Sequence, residues 1–215
     1  MTTGLAQDRA AVLSRNGVSR ETLERLDHYA DRLRAWQKTT NLVAPSTLDA
    51  LWSRHLEEGL RLYPLVGAAP KIVDLGSGGG LPGLVLAIKA KDAQPGQSVT
   101  LVESNSKKAA FLRTVIRELA LPADVRAERI EQAGAALATA DVVTARALAS
   151  LDVLLGFVSG HIGDHTRCLF PKGRQHEAEI AEASAHWRFD MVKHPSTGEE
   201  GSVVLELRSI RPIGA

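Results

Sequence analysis

The run KIVDLGSGGGLPGLVLAI, Lys71 to Ile88, decides the fold of this chain. KIVDL reads as a short buried strand that ends beside an acid, Asp74. Gly76, Gly78, Gly79 and Gly80 then crowd together, and Leu84 to Ala90 reads as a helix. Glycine costs about 0.5–1 kcal/mol relative to alanine inside regular structure, so such a cluster needs a cause. Close approach of a ligand to bare backbone is one. A glycine turn between a strand and a helix lies at the carboxyl end of an α/β sheet, where open sheets bind ligands.

Working outward, the strand–helix alternation continues. SVTLVE (Ser98 to Glu103) is a strand, and Ser106 to Leu119 is a helix with Phe111, Leu112, Val115, Ile116 and Leu119 inward. Short strands are expected near 123–128, 141–145 and 166–170, with helical connections. HWRFDMVKH and SVVLELRSI, joined by PSTGEEG with no helix between, predict an antiparallel hairpin. About seven strands result. Before Lys71 the pattern is helical. In SRETLERLDHYADRLRAWQ, apolar positions from Leu23 to Trp36 recur three or four apart behind Ser19 as N-cap. A further helix is expected after Ser46, with Leu48, Leu51, Trp52, Leu56, Leu60 and Tyr63 as its stripe and Pro64 breaking it. His55 shares that apolar side, either as a packed core histidine or as a contact to a binding partner. The expected division is a helical portion at 1–66 packed on an α/β domain at 67–215.

The 215 residues are 44% hydrophobic and 24% charged, enough for a real core. A net charge of +1 neither demands nor forbids an anionic partner. The single cysteine, Cys168, excludes an intrachain disulfide and lies in a predicted strand, as a buried apolar residue would. There is no run of about 20 apolar residues that would span a bilayer, and no signal-peptide pattern. A soluble, cytoplasmic monomer without membrane contact is expected. No Cys/His cluster has metal-ligand spacing, so no metal is expected.

GGGLPG, Gly78 to Gly83, matches the dinucleotide fingerprint G-x-G-x-x-G. Aligned from Gly76, however, the third glycine becomes Leu81. Asp74 ahead of the loop would repel a diphosphate. An acid followed by G-x-G-x-G suits S-adenosyl-L-methionine, which is cationic and lacks a pyrophosphate. Glu103, ending the next strand, can accept from ribose hydroxyls. Ile130 can lie on an adenine face, and Glu131 can reach its exocyclic amine. A small-molecule methyltransferase, an NAD(P)-dependent oxidoreductase and a non-catalytic donor sensor remain open on these residues alone.

DLGSGGGLPG, LVESNSKKAAFLR, RIE, ARALASL and FPKG, in this order, together with NLV at Asn41–Val43 and WSRHLEEGL, resemble the glucose-inhibited division protein B family. The resemblance runs from about Leu26 to Leu207. It implies a class I S-adenosylmethionine-dependent methyltransferase (Rossmann-like) fold: a mostly parallel seven-stranded sheet, a C-terminal antiparallel hairpin and an N-terminal helical extension. It implies methyl transfer to N7 of one guanine in 16S (small-subunit) ribosomal RNA, so ribosomal RNA or the small subunit is the expected partner. Family cofactor positions fall on Gly76, Leu81, Ile130, Glu131 and Arg146; Gly78 and Glu103 join them from the residue argument. Guanine N7 carries a lone pair and no proton, so positioning suffices and no general base is expected. The D/N-P-P-Y/F loop of amine methylation is absent; DVVTARAL stands in its place. Arg146 can bond guanine O6, the donor carboxylate or a phosphate. Phosphate contacts are expected from Lys107, Lys108, Lys172 and Arg174, with Arg113, Arg117 and Arg129 as further candidates.

Overall fold

Strand β1 (Lys71–Leu75) is an interior strand of a seven-stranded sheet in the computed structural model, which describes residues 3–196 and 201–214. Ile72 and Val73 point to opposite faces and are both buried, as a central strand covered on two sides requires. The other strands are β2 (Ser98–Val102), β3 (Ala123–Arg126), β4 (Val142–Ala145), β5 (Arg167–Lys172), β6 (Trp187–Pro195) and β7 (Val203–Pro212). Their spatial order is β3-β2-β1-β4-β5-β7-β6. Strands β1 to β5 pair in parallel; β7 runs antiparallel to β5 and to β6. The mostly parallel sheet with a C-terminal hairpin is therefore the one expected, although 197–200 of the joining segment lie outside the described residues. Strand order reverses at β1, which has β2 on one side and β4 on the other. That is where an open sheet splays apart at its carboxyl edge.

Two apolar clusters fill the two faces. On one face α4 (Gly83–Ala93) and α5 (Ser106–Leu119) pack with α1 (Thr3–Arg15), α2 (Arg20–Gln37) and α3 (Glu57–Val66) around Tyr29, Trp52 and Phe111. On the other face α6 (Gly134–Leu137), α7 (Leu151–Val158) and α8 (His176–Ala183) cover Val73, Val143 and Phe170. Cys168 is fully buried there, and burial pushes its thiol up from the usual range.

Helices α2 and α5 have the predicted starts. Ser19 accepts from the Thr22 N–H at 3.1 Å, and Asn105 caps α5 by accepting from Lys107 and Lys108 N–H. The stripe after Ser46 is not one helix. Pro45–Ala50 forms a tight 3₁₀ turn; at Trp52–Leu56 the spiral widens, so that Glu57 N–H bonds to Trp52 O, five residues back. Pro64 does not end α3, which runs to Val66 and stops at Gly67, φ +65°. The widened turn brings His55 and Glu58 round to the sheet's carboxyl edge, and such insertions recur at functional sites. α1 is strapped to it: Asp8 accepts from Trp52 and Ser53 N–H, and buried Glu57 takes bonds from Arg15, Asn16 and Arg61.

Candidate functional site

The glycines after β1 divide into two groups by what surrounds them. Gly80 has φ +88°, and a Cβ there would stand 2.3 Å from Leu84 Cδ1. A Cβ on Gly83 would stand 2.2 Å from Leu101 Cδ2, and one on Gly79 3.1 Å from the Leu42 carbonyl oxygen. These glycines admit protein, so part of the crowding read as ligand contact is internal packing. Gly78 differs. Its φ is +55°, and a Cβ would meet nothing nearer than Gly76 O at 3.7 Å. Gly76, φ +63°, faces only the flexible end of Leu148. Bare backbone is therefore offered outward at Gly78, while at Gly76 the end of the Leu148 side chain lies over it.

Asp74 lines none of the cavities described below. It is fully buried and accepts from Thr144 Oγ1 at 2.8 Å. Burial pushes its carboxyl up to about 6, against the bonds from Thr144 and Ser77. Its work is under the loop, where Ser77 Oγ also donates to the Asp74 carbonyl.

Glu103 sits just past β2. Its Oε2 accepts from Gly78 N–H at 2.8 Å and its Oε1 from Asn105 N–H at 2.7 Å. Each oxygen keeps a second lone pair, so the carboxylate can still accept from two vicinal hydroxyls. It lines a cavity of about 280 Å³ with Gly76, Gly78, Glu128, Ile130 and Leu148. Glu131, in the short turn at Ile130–Gln132, is not among its lining residues and is exposed. The acid that does face this cavity is Glu128, two residues before Ile130; its Oε1 is buried without a hydrogen bond, with Arg126 Nη1 3.7 Å away. Sequence reading missed it because β3 ends at Arg126, two residues earlier than the expected boundary.

A second cavity, about 450 Å³, adjoins the first through Gly76, Gly78, Lys108 and Ala147. Its remaining walls include Asn41 to Ala44, Leu81, His55 and Arg146. A third, about 420 Å³, opens beyond Arg146 and His55, with Thr47, Arg54, Glu58, Lys172 and Glu179 in its lining. Arg146 stands at the junction. Its Nη2 donates to His55 Nδ1 at 2.7 Å and to Arg54 O at 3.1 Å, and its Nε lies 3.0 Å from Glu58 Oε1. Because Nδ1 accepts from a guanidinium, His55 is neutral and carries its proton on Nε2, which faces Thr47 Oγ1 at 2.7 Å. Burial, then Arg146 and Arg54, hold His55 down to about 4. Burial raises Glu58, opposed by Arg146. Ala147 has φ +49°, a conformation that costs a non-glycine residue energy and recurs at binding sites. The turn separates Arg146, aimed at His55, from Leu148, which covers Gly76.

The family model described as rRNA small subunit methyltransferase G (GidB) matches residues 22–203. The chain belongs to this family. The ribosomal RNA small subunit methyltransferase G of Rhizobium rhizogenes is 48% identical over 192 residues, 88% of this chain and 93% of the relative. That of Brucella ovis is 46% identical over 194 residues, covering 90% and 91%. Among solved structures, cofactor-bound Rv0187 from MTB has TM-score 0.59 at 15% identity, covering 86% of this chain and 88% of that one. A point mutant of MtNAS in complex with S-adenosylmethionine has TM-score 0.58 at 16% identity, covering 87% and 76%. These two likenesses concern the fold.

On this GidB-family chain the proposed phosphate-binding residues divide as well. Lys107 and Arg174 are exposed; Lys108 is half-buried between the first two cavities. Lys172 is not a surface cation. It is 9% exposed, and its Nζ donates to Ala149 O and Glu179 Oε2. Glu179 also accepts from Leu151 N–H, so this pair ties the start of α7 to α8 beneath the third cavity. Among the described residues no group of His, Cys, Asp and Glu is arranged to hold a metal ion, and no helix is long and apolar enough to cross a membrane.

Proposed function

We propose that this chain transfers a methyl group from S-adenosyl-L-methionine to N7 of a guanine in 16S (small-subunit) ribosomal RNA. The observation that carries the reading is the row of three adjoining cavities along the switch-point edge, with Arg146 at the junction of the second and third. Family membership supplies the reaction class and the RNA substrate.

The donor fits the first two cavities by chemistry. Glu103 offers lone pairs to ribose hydroxyls, and the open side of Gly78 lets the donor lie on backbone. Glu128, whose Oε1 has no hydrogen bond and only a long ion pair to Arg126, accepts from the adenine amine beside Ile130 and takes over the role first given to Glu131. Two carboxylates near the donor also suit its positive charge. The donor supplies an electrophilic methyl on a sulfonium. The chain's own task is to align a guanine N7 lone pair with it and exclude water. Alignment of this kind is worth roughly 7–11 kcal/mol. No proton moves, which is consistent with a His55 held neutral beside Arg146. The third cavity receives the base, where Arg146 reaches O6 and Lys172 with Glu179 sets the floor. Lys107, Lys108 and Arg174 approach RNA phosphates from the rim.

The deciding experiment uses small subunits from cells lacking this protein. They are incubated with enzyme and donor, and the RNA is mapped by mass spectrometry. A new methyl on N7 of a single guanine is expected. Transfer to another atom would overturn the guanine-N7 assignment, and no transfer to RNA would overturn the whole reading.

A further inference from the structure

The wall of the second cavity facing the glycine loop comes from the N-terminal layer. Asn41, Leu42, Val43 and Ala44 line it, and these residues form no helix or strand. Backbone groups of an irregular, partly buried segment need partners, and a side chain supplies them. Gln37, the last residue of α2, bonds to three successive residues of the segment. Its Oε1 accepts from Leu42 N–H at 2.8 Å and Val43 N–H at 3.0 Å; its Nε2 donates to Val43 O at 2.9 Å and Asn41 Oδ1 at 3.3 Å. The wall so held touches the loop, since the Leu42 carbonyl lies where a Cβ on Gly79 would crowd it. Two turns earlier on the same helix, buried Tyr29 donates to the Gly79 carbonyl at 2.6 Å. One helix thus grips both sides of the cavity that adjoins Glu103 and reaches Arg146.

We propose that Gln37 is a positioning residue for the methyl donor, holding the Asn41–Ala44 wall at the spacing from the glycine loop that the methionine end of the donor requires. Tyr29 serves the opposite wall in the same way. The inference rests on the donor reading above. Gln37 is half-buried, so its replacement leaves the core intact.

The test is titration of the full chain with S-adenosylhomocysteine, together with donor KM and kcat on small subunits and a thermal melt. Gln37→Ala weakens the ligand by about tenfold, the value of one or two hydrogen bonds, and the loss falls on donor KM rather than on kcat. Gln37→Glu still accepts from Leu42 and Val43 N–H, and binds at least about threefold tighter than Gln37→Ala. Wild-type affinity in Gln37→Ala, with or without a lower melting temperature, overturns the inference; so does equal weakness of the Glu and Ala variants. Should Gln37→Ala fail to fold, Gln37→Glu and Tyr29→Phe decide. Tyr29→Phe keeps the ring against Phe111 but frees the Gly79 carbonyl, and is expected to bind about tenfold more weakly. Wild-type donor affinity in Tyr29→Phe overturns the role of α2 in that case. Failure of the wild-type chain to bind S-adenosylhomocysteine overturns instead the donor reading itself.

Discussion

Replacing Gly78 and Gly80 one at a time by alanine separates the two uses of the glycine loop. Both residues have positive φ, +55° and +88°, so alanine at either costs about 1–2 kcal/mol of backbone strain. At Gly80 the new Cβ also falls 2.3 Å from Leu84 Cδ1 and 3.1 Å from Leu112 Cδ2, both in the core. Overpacking of that kind adds about 1–3 kcal/mol. Gly80→Ala should therefore lose about 2–5 kcal/mol in all. At Gly78 nothing lies within 3.7 Å, so the backbone term stands alone. Donor affinity should rank the other way. A methyl on Gly78 projects into space the ligand occupies, and S-adenosylhomocysteine should bind more than about tenfold less tightly, a loss of about 1.4 kcal/mol or more. Urea unfolding measures the first quantity and isothermal titration the second. Wild-type ligand affinity in Gly78→Ala would refute the assignment of the open backbone to the donor. Equal stability of the two variants would refute the division of the loop.

The other expectations concern charge. His55, held at about 4 against an ordinary 6.5, contributes stability that is present above pH 6.5 and lost as pH falls towards 4; the full amount is about 3 kcal/mol. Denaturant unfolding of His55→Asn across pH 4 to 7 should lack that slope. Asp74, raised to about 6 from 3.8, has the opposite sign: its contribution is present below pH 4 and lost as pH rises through 6, so Asp74→Asn should flatten the opposing slope in the same titration. Arg146→Lys loses the fork shared by His55, the Arg54 carbonyl and Glu58; kcat/KM should fall about 10- to 100-fold, and an unchanged value in steady-state methylation would remove Arg146 from the site. Glu128→Gln should weaken S-adenosylhomocysteine by several-fold while Glu131→Gln leaves it unchanged; titration showing the reverse would restore Glu131.

The order of strands and helices from Lys71 on was legible because local signals agree. Apolar runs of strand length, a glycine cluster and the helical stripe of α5 all depend on neighbours in the chain. The N-terminal stripes were legible for the same reason, but the widened turn at Trp52–Leu56 was not. It keeps the same apolar residues inward, while its extra residue per turn is set by packing against α1 through Asp8. Gly76, Gly78 and Glu103 could be placed at the carboxyl edge of the sheet from spacing, since each follows closely on the end of a strand. Glu128 could not be told from Glu131 until the end of β3 was located. Nor could Lys172 be known as a buried partner of Glu179 before α8 was folded back over β5. Sequence by itself determined the sheet and the position of the loop, because periodicity and glycine placement act over a few residues. Only tertiary structure decided which glycines open onto a cavity and which face protein. It also brought His55 and Glu58 from one layer to Arg146 from the other, because distances between separate elements depend on how their side chains pack.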